Sequence, residues 1–206
     1  GFIIEGVYTV DDFNYTNGQY VLKDGISDLT KAITATYMHP FSLPSGQTAF
    51  PGAPKFRDTD DSGTIDMDDA TNLGELLPSH TGSFQLNFNY KNFDLSSNFT
   101  WVAGGKVYNV AAMGTLQGNE FVGIGQQRST IVRDAYKAYN VDASGNLYAV
   151  TTPDELRALN AGARYELPYH QSGITSSEWI EDGSYLRLQT LTVGYTFPKS
   201  LLRTVG

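Results

Sequence analysis

The chain has no cysteine among its 206 residues, which excludes a disulfide scaffold and any thiolate metal site. It has no apolar run near the roughly 20 residues that a membrane helix needs, so any membrane crossing has to use β-strands. Charged residues are scarce at 17%, and the lysines and arginines are scattered without a basic stripe, which argues against a nucleic acid as partner. Long stretches of Ala, Leu, Glu and Lys are missing, which excludes a helical bundle. There is no nucleophile elbow, phosphate loop or dinucleotide fingerprint. His39, His80 and His170 are far apart and lack a ligand spacing, so they are read as loop or lumen side chains. Glu75, Glu120, Glu166 and Glu178 include no pair whose spacing singles out a glycosidase acid and base, and the chain is read as a non-enzyme. The opening Gly1-Phe2-Ile3-Ile4-Glu5 has neither the basic start nor the long apolar centre of a signal peptide, so the chain reads as a mature start or a piece of something longer.

What is present favours β structure: 13 Tyr, 11 Phe and 21 Gly, in a chain long enough for one large domain or two small ones. The most regular stretch covers residues 81–102. Phe84, Leu86, Phe88 and Tyr90 alternate with Gln85, Asn87 and Asn89; after Lys91-Asn92, Phe93, Leu95, Phe99 and Trp101 alternate with Asp94, Ser96, Asn98 and Thr100. A period of two held over two consecutive arms predicts a hairpin with the even residues of the first arm and the odd residues of the second on one face. Each arm is about ten residues long, the length of a tilted strand that crosses a bilayer. An apolar face opposite one of amides, hydroxyls and a single carboxylate fits a transmembrane β-barrel with a wet interior, and equally a soluble sandwich with one solvated face.

The rest of the chain is punctuated by turns. Asn17-Gly18 predicts a two-residue hairpin turn between residues 13–16 and 19–22. Residues 24–54, broken by Pro40, Pro44, Pro51 and Pro54, predict a loop with one short regular piece near 29–37. Residues 103–127 predict a strand end and a long surface loop, residues 130–139 suit a short helix or a strand, and residues 142–146 a turn. Thr152-Pro153-Asp154-Glu155 carries the N-cap, first-position proline and third-position glutamate of a capping box, which predicts one short helix near residues 152–161. From Tyr185 to Phe197 the apolar residues switch parity between Leu188 and Leu191, which a bulge near Thr190, or a region buried on both faces, would reconcile. The fold class expected is all-β: antiparallel barrel strands with long loops.

The net charge of −8 is concentrated in one place. Residues 58–69 match the spacing of a calcium loop: Asp58, Asp60, Ser62, Asp66 and Asp69 place side-chain oxygens at positions 1, 3, 5, 9 and 12. Gly63 stands at position 6, and Thr64 offers its carbonyl at position 7. Ser62 replaces the usual Asp or Asn, and Asp69 replaces the bidentate Glu, so the loop has to tighten for the shorter side chain to reach an ion. No amphipathic helix flanks it, which predicts a structural cation rather than a helix-loop-helix sensor; a solvated acidic turn is the other reading.

Several blocks resemble the C-terminal part of a SusC/RagA-type TonB-linked outer-membrane transporter. They are Pro51-Gly52 with Lys55-Phe56-Arg57-Asp58, the 58–69 loop, Tyr90-Lys91-Asn92-Phe93-Asp94-Leu95, and above all residues 179–188 (Trp-Ile-Glu-Asp-Gly-Ser-Tyr-Leu-Arg-Leu) with 191–198 (Leu-Thr-Val-Gly-Tyr-Thr-Phe-Pro). The resemblance implies a large barrel in the outer membrane of a Gram-negative bacterium, in contact with outer-membrane lipid. It implies import of an oligosaccharide or peptide captured with a SusD-like surface lipoprotein, energised by the TonB complex. The chain shows no plug, TonB box or terminal aromatic strand and has room for about six to eight strands where such transporters close with about 22. It is therefore expected to be one part of that barrel domain over residues 1–206, unable to transport by itself. The rival expectation is a free-standing secreted β-domain that binds glycans through exposed Tyr and Trp.

Overall fold

The computed structural model describes residues 1–31, 33, 39–117, 130–168 and 174–198. Among the described residues strands predominate, with two short α-helices, and no helix there is long and apolar enough to cross a membrane. The chain divides into two compact units, one made of Gly1–Leu73 and Asn109–Ile180, the other of Gly74–Tyr108 and Glu181–Gly206.

The second unit is built on three antiparallel strands of 11 residues each: His80–Tyr90, Phe93–Ala103 at the centre, and Tyr185–Tyr195. The first two pair through a two-residue turn in which Lys91 takes the left-handed backbone conformation, with φ of 55°. The register sets Phe84 opposite Phe99, Phe88 opposite Leu95 and Tyr90 opposite Phe93, as the alternation predicts. The Phe84 and Phe99 rings stack at 4.8 Å. On the third strand the register shifts between Leu188 and Thr190. That bulge puts Leu186 and Leu188 on the same face as Leu191, Val193 and Tyr195, because one extra residue reverses the parity of everything after it. The result is one apolar face across three strands. It is exposed: Phe88 at 62%, Leu86 at 58%, Leu191 at 57% and Val193 at 67%. A sandwich would bury such residues, and among the described residues no second sheet covers them.

The opposite face holds Gln85, Asn87, Asn89, Asp94, Ser96, Asn98, Thr100 and Thr192. Its members bond to one another across strands: the Gln85 amide donates to the Ser96 hydroxyl at 3.0 Å, and that hydroxyl donates to the Asn87 carbonyl oxygen at 2.7 Å. Among the described residues the sheet has three strands and does not close into a barrel.

The first unit departs from the expectation of loops joining wall strands, because it has a core of its own. Short two-stranded ladders supply its frame: Ile4–Val7 with Pro54–Phe56, Phe13–Thr16 with Gln19–Leu22, Asp28–Leu29 with Thr64–Ile65 in parallel, and Tyr139–Val141 with Leu147–Ala149. Asn17 and Gly18 close the second ladder with φ of 53° and 79°, the two positive values that an Asn-Gly turn needs. Around them pack Tyr8, Tyr20, Ile33, Phe50, Ile65, Val150 and Leu156, all nearly inaccessible. The proline-broken stretch 39–54 is a wall of this core, carrying Phe41, Ala49, Phe50 and Ala53 into it. Part of the regular piece expected near 29–37 lies outside the described residues; its described part is the Asp28–Leu29 strand.

Two local expectations need correction. After a short strand at Lys106–Tyr108, where a loop was expected, an α-helix runs over Val110–Gln117, whose small and apolar residues lack the amphipathic period that would announce it. The expected helix forms at Pro153–Leu159 with proline in its first turn, but Thr152 makes no side-chain cap bond. Glu155 does not close a box either; it accepts the Tyr148 hydroxyl of the neighbouring ladder. The undecided 130–139 stretch is a 3-10 turn at Thr130–Asp134, and a strand begins at Tyr139.

Candidate functional site

The 58–69 loop leaves the core after the Pro54–Phe56 strand and returns through Thr64–Ile65, which pairs with Asp28–Leu29. Asp61 and Gly63 take left-handed φ of 58° and 82°, and this pair of bends folds the loop back on its first carboxylate. Asp58 accepts the Ser62 amide at 3.1 Å on one oxygen, and the Gly63 amide at 2.8 Å and the Ser27 hydroxyl at 2.7 Å on the other. The Ser27 hydroxyl first, with the Gly63 and Ser62 amides, holds the Asp58 carboxyl below its ordinary range and so keeps it ionised. Asp60 accepts the same Ser62 amide at 3.0 Å.

Asp69 closes the loop from its other end. A 3-10 turn at Met67–Asp69 follows the Thr64–Ile65 strand directly, and this tighter winding carries the short Asp69 side chain back toward the start of the loop. The side chain is buried, with 1% of its residue surface exposed. One oxygen accepts the Thr59 amide at 2.6 Å and the Thr59 hydroxyl at 3.1 Å, and the other accepts the Asp66 amide at 2.9 Å. Carboxylate oxygens of Asp58, Asp60 and Asp69 lie within 4.8 Å of one another. Two oxygens on opposite sides of a calcium ion stand about 5 Å apart, so the three fit one coordination shell.

The other three expected ligands are placed differently. The Ser62 hydroxyl donates to the Thr64 carbonyl at 3.0 Å, which keeps the two oxygens together. Asp66 caps the 3-10 turn, accepting the Asp68 amide at 2.8 Å, and is not in the cluster. Spacing alone did not reveal Ser27, which anchors Asp58, or Thr59, which anchors Asp69. Ser27 is 31 residues from its partner, and no local pattern announces it. A cleft of about 350 Å³ borders the loop, lined by Glu5, Tyr8, Ser27, Lys55, Arg57 and Asp58. Its two cations are already paired, Arg57 with Glu5 at 2.8 Å and Lys55 with Asp12 at 2.6 Å.

The remaining sequence candidates sort themselves by surroundings. His39 stacks on Phe50 at 4.1 Å, and burial lowers its pKa, so it is a neutral packing group. His80 opens the first long strand and is exposed, Glu75 is exposed, and His170 and Glu120 lie outside the described residues. Glu166, which is buried, and Glu178 were not paired by anything in the sequence; burial first, and then the charge of Glu166, raises the Glu178 pKa to about 9.

No family model matches the chain. It is similar to two TonB-dependent receptors of Formosa agariphila. It is 28% identical to receptor P3 over 159 residues, 76% of this chain, and 29% identical to receptor P26 over 148 residues, 71% of this chain. The chain spans about 13% of the length of each of these curated relatives. The similarity relates this chain to TonB-dependent receptors.

Proposed function

We propose that this chain is part of an outer-membrane nutrient receptor of a Gram-negative bacterium, its three long strands forming a section of barrel wall and its other unit a separately folded body. The observation that carries this reading is the continuous exposed apolar face of the three-stranded sheet opposite a hydrogen-bonded polar face. At 3.3 Å per residue each 11-residue strand runs about 33 Å, which at the roughly 40° tilt of barrel strands gives about 25 Å of height, the apolar height of an outer-membrane barrel. Tyr90, Phe93 and Tyr195 crowd the turn end of that face, and Trp101 lies near the other, as interfacial aromatic girdles do. The whole protein would import its nutrient through the TonB complex, with an oligosaccharide or a peptide as substrate and a SusD-like lipoprotein at the surface. The rival secreted glycan-binding domain has no comparable support, because its sheet would need this face covered.

This chain contains no cysteine, so in a full-length protein cleared of any cysteine elsewhere single cysteines placed within it report on the two faces. Cysteines at Leu86 and Leu191 in the full-length protein are expected to resist a water-soluble maleimide in intact membranes and to be quenched by lipid-borne probes, and those at Asn87 and Thr192 to react from the aqueous side. Equal labelling of both sets would rule out a lipid-facing wall.

The same reading assigns the 58–69 loop a structural calcium ion held by Asp58, Asp60 and Asp69, with the Ser62 hydroxyl and the Thr64 carbonyl completing the shell. Three carboxylates within 4.8 Å repel one another without a cation between them. Calcium titration calorimetry is expected to show one site whose heat is abolished by Asp58→Ala and by Asp60→Ala. Equal heats for the three proteins would leave the loop a solvated acidic turn.

A further inference from the structure

The two-residue turn at Lys91-Asn92 ends the apolar face of the three-stranded sheet, and it carries a residue that such a turn does not favour. Lys91 has φ of 55°, in a backbone region that few residues other than glycine, asparagine and aspartate enter without strain. Another two-residue turn of this chain uses Asn17-Gly18 for such values. A lysine kept where glycine fits better points to a use for its ammonium.

That ammonium sits against the apolar side. It lies over the Tyr90 ring, 5.3 Å from its centre, and Tyr90 belongs to the apolar face, opposite Phe93. Phe93 meets Tyr195 at 4.6 Å, and Tyr195 meets Phe197 edge-on at 5.0 Å. The Thr196 amide donates to the Asn92 carbonyl at 2.8 Å, which ties the end of the third strand to the turn. All four rings are exposed. Among the described residues no ion pair holds Lys91. Asp94, three residues on, stands on the polar face, and its carboxylate lies so tightly against Gly194 that a side chain there would collide with it. The turn end of the face is therefore an aromatic patch with one uncompensated positive charge at its rim.

We infer, on the reading of the three strands as a lipid-facing wall, that Lys91 with the rings of Tyr90, Phe93, Tyr195 and Phe197 forms a docking site for an anionic phospholipid. Its leaflet is the one on the turn side of the bilayer. The rings lie at the depth where aromatic side chains meet hydrocarbon on one side and headgroups on the other. The ammonium reaches past the Tyr90 ring to the phosphate and makes a charge-assisted hydrogen bond with it. A net-negative headgroup is preferred over a zwitterionic one, because the zwitterion brings a cation of its own to the same place. One lysine at an anionic membrane surface favours such a lipid about fivefold.

A single cysteine in place of Leu95, labelled with bimane in the full-length protein cleared of any other cysteine, tests this. Leu95 shares the apolar face with Phe93 and stands opposite Phe88 and Val193, so quenching there by lipids brominated in the acyl chain reads which lipid occupies the turn end. In vesicles that mix phosphatidylglycerol with phosphatidylcholine, brominated phosphatidylglycerol is expected to associate about fivefold more strongly at low salt, and the preference is expected to fade as salt is raised. Lys91→Gly removes the charge and suits the turn. It is expected to abolish the preference while leaving total quenching unchanged, and Lys91→Arg is expected to keep the preference. Equal association of the two lipids in wild type, a preference that survives Lys91→Gly, or one lost in Lys91→Arg would overturn the docking site and leave the wall in place. Quenching by neither lipid would remove the wall and the docking site with it. Should Lys91→Gly fail to insert, Lys91→Asn, which tolerates the same backbone, supplies the uncharged comparison.

Discussion

Replacing Leu191 by arginine is expected to destabilise the membrane-inserted protein by about 2–4 kcal/mol, whereas the same replacement at Thr192, the next residue, is expected to cost less than about 0.5 kcal/mol. The two positions are adjacent in sequence and opposite in environment. Leu191 is 57% exposed on the apolar face, level with Ser97 and so near the middle of the band between Phe93 and Trp101. Thr192 stands opposite Ser96 on the polar face. A guanidinium in hydrocarbon has to shed its water or drag water in, while on a wet face it stays hydrated. Denaturant titration of the full-length protein in lipid vesicles, with both variants side by side, reads the difference as a shift in midpoint. Equal midpoints for the two variants would show that Leu191 does not face lipid. A larger loss at Thr192 would mean that the faces are assigned backwards.

That contrast is available because the sheet was legible in the sequence. Alternation from Phe84 to Tyr90 and from Phe93 to Trp101 is a local property, as is the two-residue turn between the arms, so register and face follow from neighbours alone. The parity break before Leu191 announced the bulge that the structure places between Leu188 and Thr190. The compact unit left no such trace. Its ladders are two to four residues long, too short to show a period, and its contacts join residues far apart: the Tyr20 hydroxyl donates to the Thr151 carbonyl across 131 residues, and the Tyr8 hydroxyl to the Ser27 carbonyl at 2.5 Å. Prolines and glycines between 40 and 54 signal the absence of regular structure, which is correct, yet irregular backbone can still carry aromatic side chains into a core.

The acidic 58–69 loop falls between these cases. The spacing of its carboxylates is local and was readable, and the structure gathers three of those it singled out. What spacing could not decide is how each carboxylate is shared with the nearby amides. Asp66 went to the cap of the 3-10 turn because the Asp68 amide lies two residues on, within easy reach. Asp69 came into the cluster because Thr59 and the Asp66 amide hold it there.

The core that supports this loop should fail as a unit when Phe50 is truncated. Phe50 is 1% exposed; its ring stacks against His39 at 4.1 Å and lies 6.3 Å from Phe41. Phe50→Ala removes that packing and leaves a cavity in irregular backbone with few alternative contacts, at a cost of about 3–5 kcal/mol. That is a large share of the roughly 5–15 kcal/mol by which a domain is stable. Tyr15→Ala is the matched control, since Tyr15 is 42% exposed and, among the described residues, its ring meets the core at Tyr20, 4.8 Å away; its cost is expected to stay near 1 kcal/mol. The loss at Phe50 should also reach the loop. The Ala49 amide donates to Asp28 at 2.7 Å, Asp28 follows Ser27, and the Ser27 hydroxyl holds Asp58, which in turn accepts the Ser62 and Gly63 amides. Hydrogen exchange on a peptide covering residues 60–65 is therefore expected to lose protection in Phe50→Ala in parallel with peptides of the core, and to keep it in Tyr15→Ala. If the loop stays protected while the core opens, the acidic loop holds its shape by local bonds alone and the body is not what positions it.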